Sequence, residues 1–203
     1  DGVAFDAYLT FNGSLCYDRK GVIFSNPIPH KDVVRFIQNA AALGRPVCVS
    51  TRDRLAANGA DTDLTDYFFI ANEPVPVADD FDAVGAEDIY QLMLGCRPKD
   101  YPALLDGAPG AKIAAWWDRA VDVIPASGGK GIGIEKMLAY YGLDKAEALA
   151  FGDGNNDREM LQAVGTGVAM ENGSPELKAI ADEICGPVYE DGIYHYCADK
   201  GLI

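Results

Sequence analysis

The apolar positions of this chain change their period near Pro125, and the elements they predict change with it. Ahead of that point, residues 3–11 read as a strand ending in the turn Asn12-Gly13. Leu15–Tyr17 and Gly21–Ser25 read as a hairpin about the polar turn Asp18-Arg19-Lys20. Val33, Val34, Phe36, Ile37, Ala40, Ala41 and Leu43 fall on one helical face, which Gly44 closes. Pro46–Ser50 is a β-like run, and the acid- and proline-bearing stretch Ala71–Asp82 is a loop. Ile89–Leu94 predicts a strand and Lys99–Leu105 a short helix. Lys112–Trp117 and Val121–Ile124 predict two strands joined by Asp118-Arg119-Ala120. The region from 16 to about 120 is therefore expected to be α+β, with hairpins and two helices.

Beyond Pro125 the order becomes regular. Ile134, Met137, Leu138 and Tyr141 have helical spacing, and Gly142 ends that helix. The strand Ala148–Phe151 follows, then a helix through Met160, Leu161 and Val164. A strand over Gly167–Met170 leads to a helix over Ser174–Ala181, with Ser174 as N-cap and Pro175 at its first position. Glu183–Cys185 is a last short strand. Short strands alternating with helices imply a parallel α/β sheet. Ligands of such sheets bind at the carboxyl ends of the strands.

Composition narrows the function classes. A chain of 203 residues makes one large or two small domains with a sizeable core. No apolar run approaches the ~18 residues of a membrane span. The net charge of −14 repels the phosphates of nucleic acids and anionic membranes, so neither is an expected partner. A phosphorylated ligand would need local positive charge. Cys16, Cys48, Cys96, Cys185 and Cys197 are scattered without a C-x-x-C pair, the pattern of reduced thiols in a cytoplasmic protein. His30 and His195 are too few for a multi-histidine metal site or a catalytic triad.

Two stretches carry the chemistry. In Phe151-Gly-Asp153-Gly-Asn-Asn156-Asp157 the glycines let the backbone bend after the strand. Asp153 at the strand end and Asp157 one turn on can converge on a hard cation such as Mg²⁺. The same residue types also suit an N-capped polar turn. A calcium loop is excluded, because Arg158 and Val164 stand where it needs Gly and Glu. The second stretch, Ser127-Gly-Gly-Lys130-Gly-Ile-Gly133, opens a helix with exposed N–H groups and a lysine, which suits an anion. A flexible glycine turn with a solvated lysine is the alternative. A P-loop is excluded by Ile124 and Gly131.

Taken together with Gly167-Val-Ala-Met170-Glu-Asn172-Gly and the ending Glu190-Asp-Gly-Ile193, these stretches resemble the haloacid dehalogenase (HAD) superfamily. More narrowly, they resemble its Cof-type sugar-phosphatase branch. Tyr8-Leu-Thr-Phe-Asn12-Gly and Asn26-Pro-Ile-Pro are similar to the segments leading into that branch's cap, and Asp88-Ile-Tyr-Gln-Leu and Trp116-Trp117 to cap segments. The resemblance implies a Rossmann-like core from residues 1–15 and 121–203, with an inserted α+β cap from 16–120. It implies a Mg²⁺-dependent phosphatase that hydrolyses small phosphomonoesters, such as sugar phosphates, through an aspartyl phosphate. Lys130 would hold the nucleophile and phosphoryl oxygens, Asn156 would orient the phosphate, Asp153 would ligate Mg²⁺ and Asp157 would support the metal. Asn12 would contact phosphate or substrate. Trp116 and Trp117 would offer a sugar a stacking face, unless they are core aromatics, since only alternate residues of a strand face one way.

One departure matters. The family's first motif, D-x-D-G-T, which supplies the nucleophile, does not occur in these residues. Phe5-Asp6-Ala7-Tyr8-Leu9-Thr10 resembles it superficially, with Asp6 as nucleophile, but that run fits the strand leading into the cap better. The expectation is that two strands and two helices, on the order of 50 residues, are missing ahead of Asp1. The chain alone is then expected to be inactive, and its open strand edges would favour a homodimer. Two rivals share these residues: a non-catalytic phosphate-ligand binding or regulatory protein of the same fold, and a phosphotransferase or mutase.

Overall fold

The computed structural model describes residues 4–203; Val3, the predicted start of the first strand, lies outside the described residues. The chain divides into two compact units, Asp1–Gly129 and Lys130–Ile203.

The first unit opens with an antiparallel meander of β1 (Ala7–Thr10), β2 (Leu15–Asp18) and β3 (Gly21–Ser25), in that spatial order. Asp6, the stand-in for a nucleophile, is exposed just ahead of β1, which pairs antiparallel with β2. Then come α1 (His30–Ala42), β4 (Cys48–Ser50), β5 (Leu55–Ala57), α2 (Thr62–Phe69) and α3 (Phe81–Val84). The unit closes with β6 (Gln91–Gly95), α4 (Tyr101–Leu105), β7 (Ala111–Ala114) and β8 (Ala120–Pro125). β8 lies between β6 and β7 in an antiparallel sheet of order β5-β4-β6-β8-β7.

Alternation along these strands sorts the sheet into two faces. Val49, Leu92, Leu94, Val121 and Val123 share a buried apolar core with Val33, Phe36 and Ala40 of α1. On the other face Cys48 and Met93 pack with Leu64 and Phe68 of α2. That face also carries Ser50, opposite Gln91, and Asp122, opposite Met93.

Three expectations for this unit need correction. The helix α2 and the strand β5 lie in a stretch where neither was expected, and among the described residues the unit has four α-helices instead of two. The Asp61 side chain caps α2 by accepting from the Leu64 N–H, and Leu64 and Phe68 are its buried positions. The strand expected over 112–117 stops at Ala114, so Trp116 and Trp117 lie in the bend before β8.

The second unit runs α5 (Lys130–Tyr141), β9 (Leu149–Gly152), α6 (Arg158–Gln162), β10 (Thr166–Met170), α7 (Pro175–Lys178), β11 (Glu183–Cys185) and α8 (Gly192–Asp199). The sheet is parallel, in order β11-β10-β9, as the alternation of elements predicts. Ala150, Leu161, Val164, Ala169 and Leu177 form its core, and Ser174 caps α7 by accepting from the Leu177 N–H. The α8 helix was not expected. Among the described residues no helix is long and apolar enough to cross a membrane.

Candidate functional site

The turn after β9 is built around one buried carboxylate. Asp157 is 5% exposed, and its Oδ2 accepts from the backbone N–H groups of Asp153 (3.1 Å) and Gly154 (3.0 Å). Its Oδ1 accepts from the Lys130 ammonium at 2.5 Å. A single carboxylate thus ties the first residue of α5 to the carboxyl end of β9. This shape depends on glycine: a Cβ on Gly152 would stand 2.7 Å from the Asp157 Cβ. A Cβ on Gly154 would stand 2.5 Å from the Asn156 side-chain oxygen.

Asp153 itself is exposed. Its Oδ2 accepts from Asn172 Nδ2 at 3.1 Å, while Asn172 accepts from the Val188 N–H through its own side-chain oxygen. The Asp153 Oδ1 has no partner among the described residues. A carboxylate with one oxygen steered and one open fits Mg²⁺, which takes one or two carboxylates and keeps several waters. Among the described residues no three His, Cys, Asp or Glu side chains gather into a closed metal cage. Asp157, with both oxygens engaged, is suited to holding Lys130 and the turn in place beside such an ion.

Lys130, Asp153, Asn156 and Asp157 are thus held on one loop and one helix start. Asn172 belongs with them and was not singled out as a site residue. Its place in the Met170-Glu-Asn172-Gly stretch was the available signal.

Asn12, Trp116 and Trp117 belong to the first unit. Asn12 lies in a turn of three consecutive left-handed residues, Phe11 (φ 50), Asn12 (φ 52) and Gly13 (φ 86). Its Nδ2 donates to Gln91 Oε1 and to Asp122 Oδ2, both at 2.9 Å. The Tyr67 hydroxyl donates to Asp122 Oδ1 at 2.6 Å. Burial, with the Asp122 carboxylate adding, pushes the Tyr67 phenol far above its ordinary range. The Trp116 ring lies 5.5 Å from the Tyr67 ring. Trp116 and Trp117 stack at 6.0 Å, and the Arg119 guanidinium covers Trp117 at 5.0 Å. Only Trp116 counts as exposed. Tyr67, Gln91 and Asp122 were not foreseen, because their partners lie 55 to 110 residues away.

None of the five cysteines is in a disulfide, and burial pushes Cys48 and Cys96 to about 12, so those two stay thiols at neutral pH.

The chain is similar to known proteins along most of its length. Residues 2–197 match the haloacid dehalogenase-like hydrolase family. YkrA of Bacillus subtilis (strain 168), named provisionally as a phosphatase, is 34% identical over 198 residues, covering 97% of this chain and 76% of that protein. A HAD subclass IIB sugar phosphatase superposes with a TM-score of 0.86 at 26% identity, covering 98% of this chain and 77% of that one. A HAD-superfamily phosphatase from Bacteroides thetaiotaomicron superposes at 0.87 with 28% identity, covering all of this chain and 76% of its own. The α/β fold with an inserted cap is that of these neighbours. The chain belongs to the haloacid dehalogenase-like hydrolase family and is, by resemblance, a phosphoric monoester hydrolase of small phosphorylated substrates.

Proposed function

We propose that this protein serves the Mg²⁺-dependent hydrolysis of small phosphomonoesters, sugar phosphates foremost, through an aspartyl phosphate. The observation carrying the proposal is Asp157, whose carboxylate joins the Lys130 ammonium to the backbone beside Asp153. Lys130 neutralises phosphoryl charge and Asn156 orients the phosphate. Asp153 is the carboxylate that holds Mg²⁺, with Asn172 fixing its plane and Asp157 supporting from behind. The ion supplies charge neutralisation between phosphate and nucleophile. In this reading Asn12, Trp116 and Trp117 serve substrate recognition. The protein works in the cytoplasm, and homodimerisation covers its open strand edges.

Because the 203 residues contain no D-x-D-G-T, the reading assigns them the metal and phosphate groups without the nucleophile. The purified chain is expected to bind phosphate with Mg²⁺ and to turn nothing over. A chain that also carries D-x-D-G-T is expected to release phosphate from sugar phosphates only with Mg²⁺. Binding without turnover in that protein would establish the regulatory alternative. Transfer to an added acceptor would establish a phosphotransferase or mutase.

A further inference from the structure

The apolar stripe of α1 is wider than the sheet beneath it. Val33, Phe36 and Ala40 enter the core, whereas Val34, read from the sequence as part of the same face, is 40% exposed. His30, Val34 and Ile37 recur at the helical spacing i, i+4, i+7 and so line one side of α1. That side borders a cavity of about 280 Å³. The facing wall is Phe81, Asp82, Gly85 and Ala86, from α3 and the turn that follows it. α1 and α3 both pack on the apolar face of the five-stranded sheet, the face away from Gln91 and Asp122. The cavity therefore belongs to the first unit alone.

Three features give this cavity a chemistry. Its floor is apolar: Phe81 is 7% exposed and joins the core, and Val34 and Ile37 stand across from it. Its space is kept by small residues. Gly85 has φ −64 and ψ −14, a helical conformation open to any residue, so the backbone does not require glycine there, and Ala86 follows it. Its charge is negative. Arg54 takes Asp80, but the side chains of Asp79, Asp82 and Asp88 have no hydrogen bond or ion pair among the described residues. No Lys or Arg occurs between residues 79 and 88 to offset them. Small-molecule sites are mostly apolar, with a few polar groups that fix orientation. An apolar cavity of about 150 Å³ already holds a benzene ring. This one has room for a single ring with a short arm, too little for a stretch of peptide.

We propose that the cavity between α1 and α3 is a binding site for a small organic cation, an amine borne on one aromatic ring. The ring lies against Phe81, Val34 and Ile37, and the ammonium sits at Asp82. His30, on the α1 side, offers an imidazole nitrogen that can accept a second ammonium N–H. The phosphatase reading and this one do not depend on each other.

The test uses the purified 203-residue chain and three probes: 2-phenylethylamine, its neutral counterpart 2-phenylethanol, and ethylamine, which has the charge without the ring. Binding is followed by calorimetry and saturation-transfer NMR. 2-Phenylethylamine is expected to bind about 5-fold tighter than 2-phenylethanol, the increment of one exposed ion pair, and ethylamine to give no measurable binding. Asp82→Asn is expected to bring the amine down to the level of the alcohol and to leave the alcohol unchanged. Ala86→Leu and Val34→Phe fill the space from opposite walls, and each is expected to abolish binding of both ring compounds. Amide spectra that match the parent outside the cavity identify the folded variants, so either filling variant suffices. The proposal is overturned if 2-phenylethylamine does not bind, or if amine and alcohol bind equally. Ethylamine binding as tightly as 2-phenylethylamine would reduce the effect to attraction by the net charge of −14 and overturn it too. Undiminished binding in a folded, filled variant would place the ligand elsewhere and end the assignment.

Discussion

Replacing Asp157 with alanine removes three acceptor contacts at once: one to the Lys130 ammonium and two to the backbone N–H groups of Asp153 and Gly154. Hydrogen bonds to a charged acceptor contribute about 1.5–3 kcal/mol each. Breaking a buried ion pair costs about 3–5 kcal/mol when the remaining charge is fully enclosed. The Lys130 side chain is 24% exposed, so water takes up part of that cost, and the backbone groups lie in a turn that water reaches. The net expectation is a loss of about 3 kcal/mol from the second unit. Asp157→Asn keeps an acceptor oxygen for the turn and is expected to lose about half as much, mainly at Lys130. Because the chain has two compact units, a single unfolding midpoint is a poor readout. Native-state amide exchange resolves the opening of β9, β10 and α6 separately. A cycle with Lys130→Met isolates the pair, with an expected coupling of about 1–2 kcal/mol. The reasoning fails if Asp157→Ala costs the second unit less than about 1 kcal/mol, or if the Asp153 and Gly154 amides keep their protection.

Two further outcomes follow from other contacts. Gly152→Ala places a Cβ 2.7 Å from the Asp157 Cβ, so it is expected to cost about 1–3 kcal/mol by overpacking. It should also weaken Mg²⁺-dependent phosphate binding, both measurable on one purified variant. Asp63 accepts from Arg97 and Arg119 and is ion-paired with Arg45, and these contacts, Arg97 foremost, hold its carboxyl below the ordinary carboxylate value. A lowered folded value gives stability that is fully present above the unfolded value near pH 4 and is lost as the pH falls through the folded one. Acid titration of the first unit should therefore show a loss below about pH 4 that Asp63→Asn flattens. An unchanged acid limb would remove Asp63 from that role.

How much of this the sequence discloses depends on whether a contact is local. The second unit was legible because its punctuation is local: Gly142 ends α5, Ser174 and Pro175 start α7, and the glycines around Asp153 make a turn after a short strand. Lys130, Asp153 and Asp157 were legible for the same reason, each sitting at an element end. The helix α2 was missed although Asp61 caps it and Leu64 and Phe68 sit one turn apart, since eight residues give little periodicity. Trp116 and Trp117 were placed in a strand because aromatic residues favour one, whereas stacking and the Arg119 cation fix them in a bend. The Asn12, Gln91, Asp122 and Tyr67 cluster forms only when distant segments meet, and no local pattern announces it.

The most direct test of the central claim is calorimetric titration of the purified chain with inorganic phosphate, with and without Mg²⁺. Binding is expected only with Mg²⁺, and Lys130→Met and Asp153→Asn should each weaken it about tenfold, the equivalent of roughly 1.4 kcal/mol. Phosphate binding that ignores the ion, or that survives both substitutions undiminished, would contradict the account.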